Sequence, residues 1–216
     1  MPNHYPNLNP QKALIWRIVH RDNLEWIMDN GLHCGNSGVT CPTWQPIGNA
    51  ELTGRRGTKQ VPIAPGGVLN DYVPFYFTPF SPMMYNIYTG RGGVTQRNNE
   101  EIVILVSSVH RIHELGHNFV FTDRHAYVAT ANYYNNINSL GNIDWALLQN
   151  RSFQRDPNDP VKVERYQAEV LVHQHLPVEA LMGVVCYTDS LKSVIEEQAR
   201  QRSLNLNIQT MKGWYF

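Results

Sequence analysis

The chain has no excess of charge, few cysteines and no long apolar run. Its 216 residues carry 18 basic and 18 acidic side chains, a formal net charge of +0, and only 17% of residues are charged. No global field draws such a chain to nucleic acid or to an anionic membrane, so any contact of that kind must use a local patch. Cys34, Cys41 and Cys186 do not make a disulfide framework and lack the Cys-x-x-Cys spacing of a zinc site. No apolar stretch approaches the roughly 20 residues needed to span a bilayer. The N-terminal "MPNHYPNLNPQK" has neither the basic nor the apolar region of a signal peptide. A cytoplasmic protein with no membrane contact is expected.

Several catalytic signatures are also missing. There is no Walker A loop, and "GRGG" (Gly90 to Gly93) is neither led into by a strand nor followed by a helix, so it reads as a turn. There is no G-x-S-x-G elbow. The nine histidines offer no ligand set. His110, His113 and His117 fall on a short helix and its stop, and His173 and His175 share a strand face without a third ligand. No metal is expected.

What is present is a core-forming composition, with 42% apolar residues, enough for a single domain over residues 1–216. "ALIWRIVH", "YVPFYF", "EIVILVSS", "NFVFTD", "AEVLVHQH", "GVVCYT" and "LNLNIQ" read as strands. "DNLEWIMDNG" reads as a helix, with Asp22 as cap, Glu25 three residues on as in a capping box, and Gly31 as stop. Ser81 followed by Pro82 starts another, with Met83, Met84 and Ile87 on its apolar side. "VHRIHELG", "HAYVATANYYNN" and the amphipathic "DSLKSVIEEQARQR" read as further helices. The stretch 32–67 is loop-like with one short helix around Glu51. Strands and helices mix without a βαβ rhythm, so an α+β domain is expected and a doubly wound parallel sheet is not.

Four features are candidates for chemistry. Five aromatic residues, Tyr72, Phe75, Tyr76, Phe77 and Phe80, crowd nine positions, and alternation puts Tyr72 and Tyr76 on one strand face with Phe75 and Phe77 on the other. His20 ends a strand just before a helix; it reads as a satisfied structural histidine or as a site residue. Arg55, Arg56 and Lys59 in "GRRGTK" read as a solvated basic loop or as a grip for phosphate. Glu169 opens an apolar strand, facing water at the sheet edge or standing at a cleft rim.

Together, "RIVHRDNLEWIMDNGLHC", "PIGNAELTGRR", "PGGVLNDYVPFYFTPFSPMMY", "EIVILVSSV", "FVFTDRHAY" and "RYQAEVLVH" resemble, in order, the DarT family of DNA ADP-ribosyltransferase toxins. One departure is Phe80, where that family often has a basic residue before "SPM"; an altered surface contact is expected there. The resemblance implies an ADP-ribosyltransferase fold, with two packed, mostly antiparallel sheets, flanking helices and NAD in the cleft between the sheets. It implies transfer of ADP-ribose from NAD to a base of single-stranded DNA, thymidine in one branch and guanosine in another, with release of nicotinamide. It also implies a monomeric toxin paired with a macrodomain antitoxin that removes the mark.

Glu169 would carry the chemistry, with Arg56, or Arg55, on the phosphates or the acceptor base. His20, Asn23 and Gly48 would lie at NAD, and Tyr76, or its rival Tyr72, would stack on nicotinamide. His125, Arg124, Arg155 and Tyr134 would meet the DNA, where basic groups beside aromatic faces such as Tyr127 and Tyr133 suit a single strand. Readings from other classes are an enzyme of this fold with an RNA or protein acceptor, and a non-catalytic nucleic-acid-binding module.

Overall fold

A computed structural model describes residues 4–216 of the chain. Residues 1–3 of the N-terminal stretch read above lie outside the described residues.

The β-branched and apolar runs form strands where expected. They are β1 (Leu14–His20), β3 (Tyr72–Tyr76), β4 (Ile102–Ser108), β5 (Phe119–Thr122), β7 (Glu169–His173), β9 (Gly183–Cys186) and β10 (Asn207–Thr210), with two-residue strands β2 (Leu32–His33), β6 (Tyr133–Tyr134) and β8 (His175–Leu176). The helices are α1 (Leu24–Asn30), α2 (Ala50–Arg56), α3 (Pro82–Thr89), α4 (Val109–Glu114), α5 (Trp145–Gln149), α6 (Lys162–Arg165) and α7 (Asp189–Gln201). The expected α+β architecture is present, with its strands unevenly shared. Eight form one sheet in the order β10-β9-β4-β1-β3-β7-β5-β6, and β2 and β8 form a second, small one. All pairings are antiparallel except β10 with β9.

The large sheet is nearly cut in two at its centre. β1 pairs with β4 along its whole length, from Leu14 opposite Ser108 to His20 opposite Ile102. It meets β3 at one registered pair, Trp16 and Tyr76. The sequence supplies a reason. The Pro74 carbonyl accepts a bond from Arg17 Nη1 at 2.8 Å, so the bonding side of Pro74 faces β1. Proline has no N–H to offer there, and a ladder cannot continue through it. The two strands part, and a side chain bridges the gap.

Three local expectations are corrected. Asp22 does not cap α1: residues Arg21–Asn23 form a 3₁₀ turn whose cap is His20, with Asn23 heading α1 without a side-chain bond. The segment "HAYVATANYYNN" is not a helix but a turn-rich loop leading into β6. Its β-branched and aromatic residues, with polar asparagines, favour tethered turns over a continuous helix. "AEVLVHQH" is broken at Gln174, whose φ of 62° turns the chain into the left-handed region. His173 and His175 therefore sit in different sheets, and His175 pairs with His33.

Phe80 is also not the surface residue expected. It is buried, and the Arg151 guanidinium lies 3.5 Å from its ring centroid. A cation is thus supplied to this spot from a distant loop, held by the ring's quadrupole.

Candidate active site

Glu169 is the first residue of β7, lies opposite Tyr76 of β3 in register, and is buried. A lone buried carboxylate is costly unless it is bonded and paired. Here both oxygens are engaged. Arg56 Nη1 donates to Oε2 at 3.0 Å, and the backbone N–H of Ala126 donates to Oε1 at 3.0 Å. Burial pushes the carboxyl toward neutrality; Arg56, His125 and the Ala126 N–H oppose it, and the balance holds Glu169 below the usual carboxylate value.

Arg56 reaches this point because α2 is capped and aimed. Asn49 Oδ1 accepts from the Leu52 N–H at 2.9 Å, and both arginines fall in the last turn. One helical step separates their fates. Arg55 points outward to Glu51, an exposed pair at i, i+4, while Arg56 turns inward with its Nη2 buried and without a partner among the described residues.

A cavity of about 280 Å³ is lined by Tyr76, Met83, Asn86, His125 and Gln167 and, from α2, by Glu51 and Arg55 rather than Arg56. Burial, then the nearby Glu169 charge, push the Tyr76 hydroxyl up to about 12, with Arg56 and Arg17 opposing; it stays a neutral phenol. Its hydroxyl lies 3.3 Å from the weak acceptor Met83 Sδ, and the Ser81 side chain is also within its reach. Tyr72, the rival, lies elsewhere. It is buried in a small core with Val61, Leu69 and Leu171, and its hydroxyl donates to the Gly66 carbonyl at 2.5 Å. A larger hollow of about 370 Å³ lies beside Asp71 and His175, at the other end of β3, and holds none of Tyr76, Arg55 or His125.

His20 is buried at the end of β1. Its Nδ1 accepts the Asp22 N–H at 3.2 Å, so the proton sits on Nε2. That Nε2 is buried and unpartnered among the described residues, with Glu101 Oε1 beyond bonding reach at 3.6 Å. Asn23, by contrast, spends its amide on the Gln45 backbone, donating to its carbonyl and accepting from its N–H, both at 2.8 Å. It pins the loop after α1. Gly48 lies in the loop before α2, where an added Cβ would come 3.9 Å from Met83 Cε, at the cavity wall.

The residues expected on the DNA side are spread out. His125 comes close to the carboxylate, Nδ1 to Oε1 3.6 Å. Arg124 is held by Asp123 through Nε at 3.1 Å and Nη2 at 3.2 Å. Tyr134 stacks on Phe121, with centroids 5.3 Å apart and planes at 25°. Arg155 is exposed in the loop before α6. The sequence reading passed over Arg17, the bridge between β1 and β3, whose buried Nε also lacks a partner among the described residues. Burial lowers its pKa to about 10, so it remains a cation at neutral pH. A basic residue in the middle of the otherwise apolar "LIWRIV" was the available signal. Among the described residues, no three metal-ligating side chains cluster.

The chain is similar to known proteins in sequence and in fold. The profile of the DarT family, described as ssDNA thymidine ADP-ribosyltransferase, matches residues 16–216. A DNA ADP-ribosyl transferase of Escherichia coli O127:H6 is 57% identical over 210 residues, covering 97% of this chain and 96% of that one. Thermus sp. 2.9 DarT, in complex with ADP-ribosylated ssDNA, superposes with a TM-score of 0.87 at 33% identity over 100% of both chains. The same Thermus protein in complex with NAD+ gives 0.84 at 32% identity, over 96% of this chain and 99% of that one. With a family profile that spans nearly its whole length, the chain belongs to the DarT family of DNA ADP-ribosyltransferases.

Proposed function

We propose that this enzyme transfers ADP-ribose from NAD to a thymidine base of single-stranded DNA, with Glu169 as the catalytic carboxylate. The observation that carries the reading is the buried Arg56–Glu169 pair at 3.0 Å, with Tyr76, opposite Glu169 in register, and His125, 3.6 Å from its carboxylate, both lining a cavity.

NAD fits the residues present. Besides Trp16 Nε1, Arg97 Nε and the Tyr166 hydroxyl, three buried donors lack partners among the described residues: Arg17 Nε, His20 Nε2 and Arg56 Nη2. They lie along β1 beyond its last pairing with β3 and at the end of α2. Unsatisfied buried donors are costly and mark a place for an acceptor-rich ligand. The diphosphate, ribose hydroxyls and carboxamide of NAD supply such acceptors. Tyr76 offers the cavity an aromatic face for nicotinamide. Related DarT structures with NAD+ support the same assignment.

Glu169 has room for a third contact. A carboxylate offers about four lone-pair sites, and Arg56 and Ala126 take one on each oxygen. A free site can accept the 2′-hydroxyl of the nicotinamide-side ribose and stabilise positive charge where it develops on C1′. In the transfer the bond from C1′ to the nicotinamide nitrogen breaks, and nicotinamide leaves with the electron pair. A new bond forms from C1′ to a thymine ring nitrogen, whose proton passes to Glu169 as general base. The base edge must be unpaired for this, so a single strand is the natural substrate. The Thermus complex with ADP-ribosylated ssDNA supports that acceptor. His125, next to Glu169, is placed to meet the base, with Arg124, Arg155 and Tyr134 farther along the strand's path.

The chain acts as the toxin of a toxin–antitoxin pair, as a monomer, and a macrodomain protein reverses its mark; the family resemblance supports both partners. Mass spectrometry of a defined oligonucleotide after incubation with NAD tests the reading. One ADP-ribose on a thymidine is expected, and none with Glu169→Gln. Modification of guanosine alone would redirect the acceptor, and release of no nicotinamide would leave a mere DNA binder.

A further inference from the structure

Tyr133 enters the sequence reading only as one more stacking face. Its hydroxyl is committed elsewhere. It donates to the Ala126 carbonyl at 2.6 Å. Ala126 is fully buried, and its N–H is the donor to Glu169 Oε1. One small residue is thus held by its carbonyl on one side while its N–H holds the carboxylate on the other.

The loop that carries Ala126 is tied at its base as well. Asp123 accepts from the Asn132 N–H at 3.1 Å and from Asn132 Nδ2 at 2.8 Å, closing the loop across nine residues. Thr122 Oγ1 donates to the Arg124 carbonyl at 2.6 Å and accepts the Glu169 N–H at 3.3 Å. The base of the loop is therefore bonded to the backbone of Glu169, and its tip to the side chain.

The groups facing the Glu169 carboxylate come from several elements. Arg56 of α2 and His125 of the loop are the basic side chains beside it; Tyr76 of β3 and Tyr133 of β6 stand near as neutral phenols. His125 Nδ1 already accepts the Tyr127 N–H at 3.1 Å, so a neutral His125 has no Nδ1 proton to give Glu169. Within this loop the Ala126 N–H is then the one hydrogen-bond donor to the carboxylate among the described residues.

We propose that Tyr133 is a positioning residue for the transfer reaction, setting the place and ionisation of Glu169 through the backbone of Ala126. The proposal rests on the reading of Glu169 as the catalytic carboxylate. A hydroxyl bond to a buried carbonyl resists rotation of the Ala126 backbone, and a misaligned N–H stabilises the carboxylate less. The protonated form gains by default. Tyr133 thereby couples the loop expected to meet DNA to the group that accepts the base's proton.

The test is Tyr133→Phe, which removes one oxygen and keeps the ring. Nicotinamide release is followed across pH with a fixed thymidine oligonucleotide. The kcat at neutral pH should fall about twofold to tenfold, the worth of one hydrogen bond, while KM for NAD stays unchanged. The acid limb of the kcat profile should move to higher pH. Asp123→Asn, loosening the loop at its base, should move it the same way. A wild-type acid limb in Tyr133→Phe overturns the proposal, whatever the melting temperature does. Glu169→Gln is run beside it. If that variant is inactive while Tyr133→Phe keeps the wild-type profile, only the present inference fails. If Glu169→Gln stays active, the reading beneath it fails as well.

Discussion

Arg56 and Glu169, 113 residues apart in the chain, meet as a buried ion pair at 3.0 Å. One comes from the last turn of a helix and the other from the first residue of a strand. Breaking such a pair from one side leaves an uncompensated buried charge.

Arg56→Ala should lower transfer by roughly tenfold to a hundredfold, since a charge-assisted contact is worth about 1.5–3 kcal/mol. Arg55→Ala should change it less, because that side chain, though it lines the cavity, is exposed and among the described residues pairs with Glu51 and not with Glu169. Rates of nicotinamide release with the two variants decide between them. If Arg55→Ala is the damaging change, the inward and outward roles are reversed.

Stability should carry the mark of Glu169. Its folded pKa lies below the usual value of 4.5, so the carboxylate's contribution is fully present above about pH 4.5. That contribution is lost as pH falls through the lower, folded value. Glu169→Gln has no such titration. The stability difference between wild type and Glu169→Gln, from urea midpoints, should therefore shift against the wild type between neutral pH and pH 4 or below. A difference that stays constant over this range would show that Glu169 ionises as freely in the unfolded chain.

The aromatic strand should divide by face. Phe75 and Phe77 are fully buried, and Phe77 packs edge-on to Phe121 and Trp145. Phe75→Ala or Phe77→Ala should cost about 3–5 kcal/mol. Tyr76→Ala should melt closer to wild type and raise KM for NAD. Thermal melts and NAD titrations on the three variants check this; an early-melting Tyr76→Ala with ordinary NAD use would make Tyr76 a core residue.

Arg17→Met tests the bridge across the split sheet. The change removes a costly buried charge but leaves the Pro74 carbonyl without its donor, so a loss of about 1–3 kcal/mol at most is expected. The variant should fold, yet use NAD about tenfold less well, because a buried donor beside Arg56 and Tyr76 is gone. A steep loss of melting temperature with unchanged activity per folded molecule would assign Arg17 to the scaffold alone.

Much of the fold was legible because burial writes itself into residue order. "EIVILVSS" became β4 and Ser81-Pro82 opened α3, with Ser81 Oγ accepting the Met83 N–H at 3.1 Å. The errors came where local preference met a tertiary competitor. Asp22 had the right chemistry for a cap, but His20 took that place by accepting the Asp22 N–H itself. The segment after Asp123 had alanines enough for a helix, yet the Asp123 carboxylate took the Asn132 N–H, Tyr133 the Ala126 carbonyl and Glu169 the Ala126 N–H.

The sequence alone determined the α+β class, the strand faces, and a short list of residues in recurring motifs, because alternation, capping chemistry and motif order are local properties of a chain. Which of two adjacent arginines meets Glu169, which of two tyrosines on one strand face borders the cavity, and that Arg17 bonds β3 while Tyr133 bonds Ala126 were decided only in three dimensions. The physical reason is the same in each case. The worth of a charge or a hydroxyl depends on what it is desolvated against: for Arg56 and Arg17 that partner lies in a segment distant in sequence, brought near by the packing of the sheet, and for Tyr76 and Tyr133 it lies seven residues away, aligned only by the way the chain turns between them.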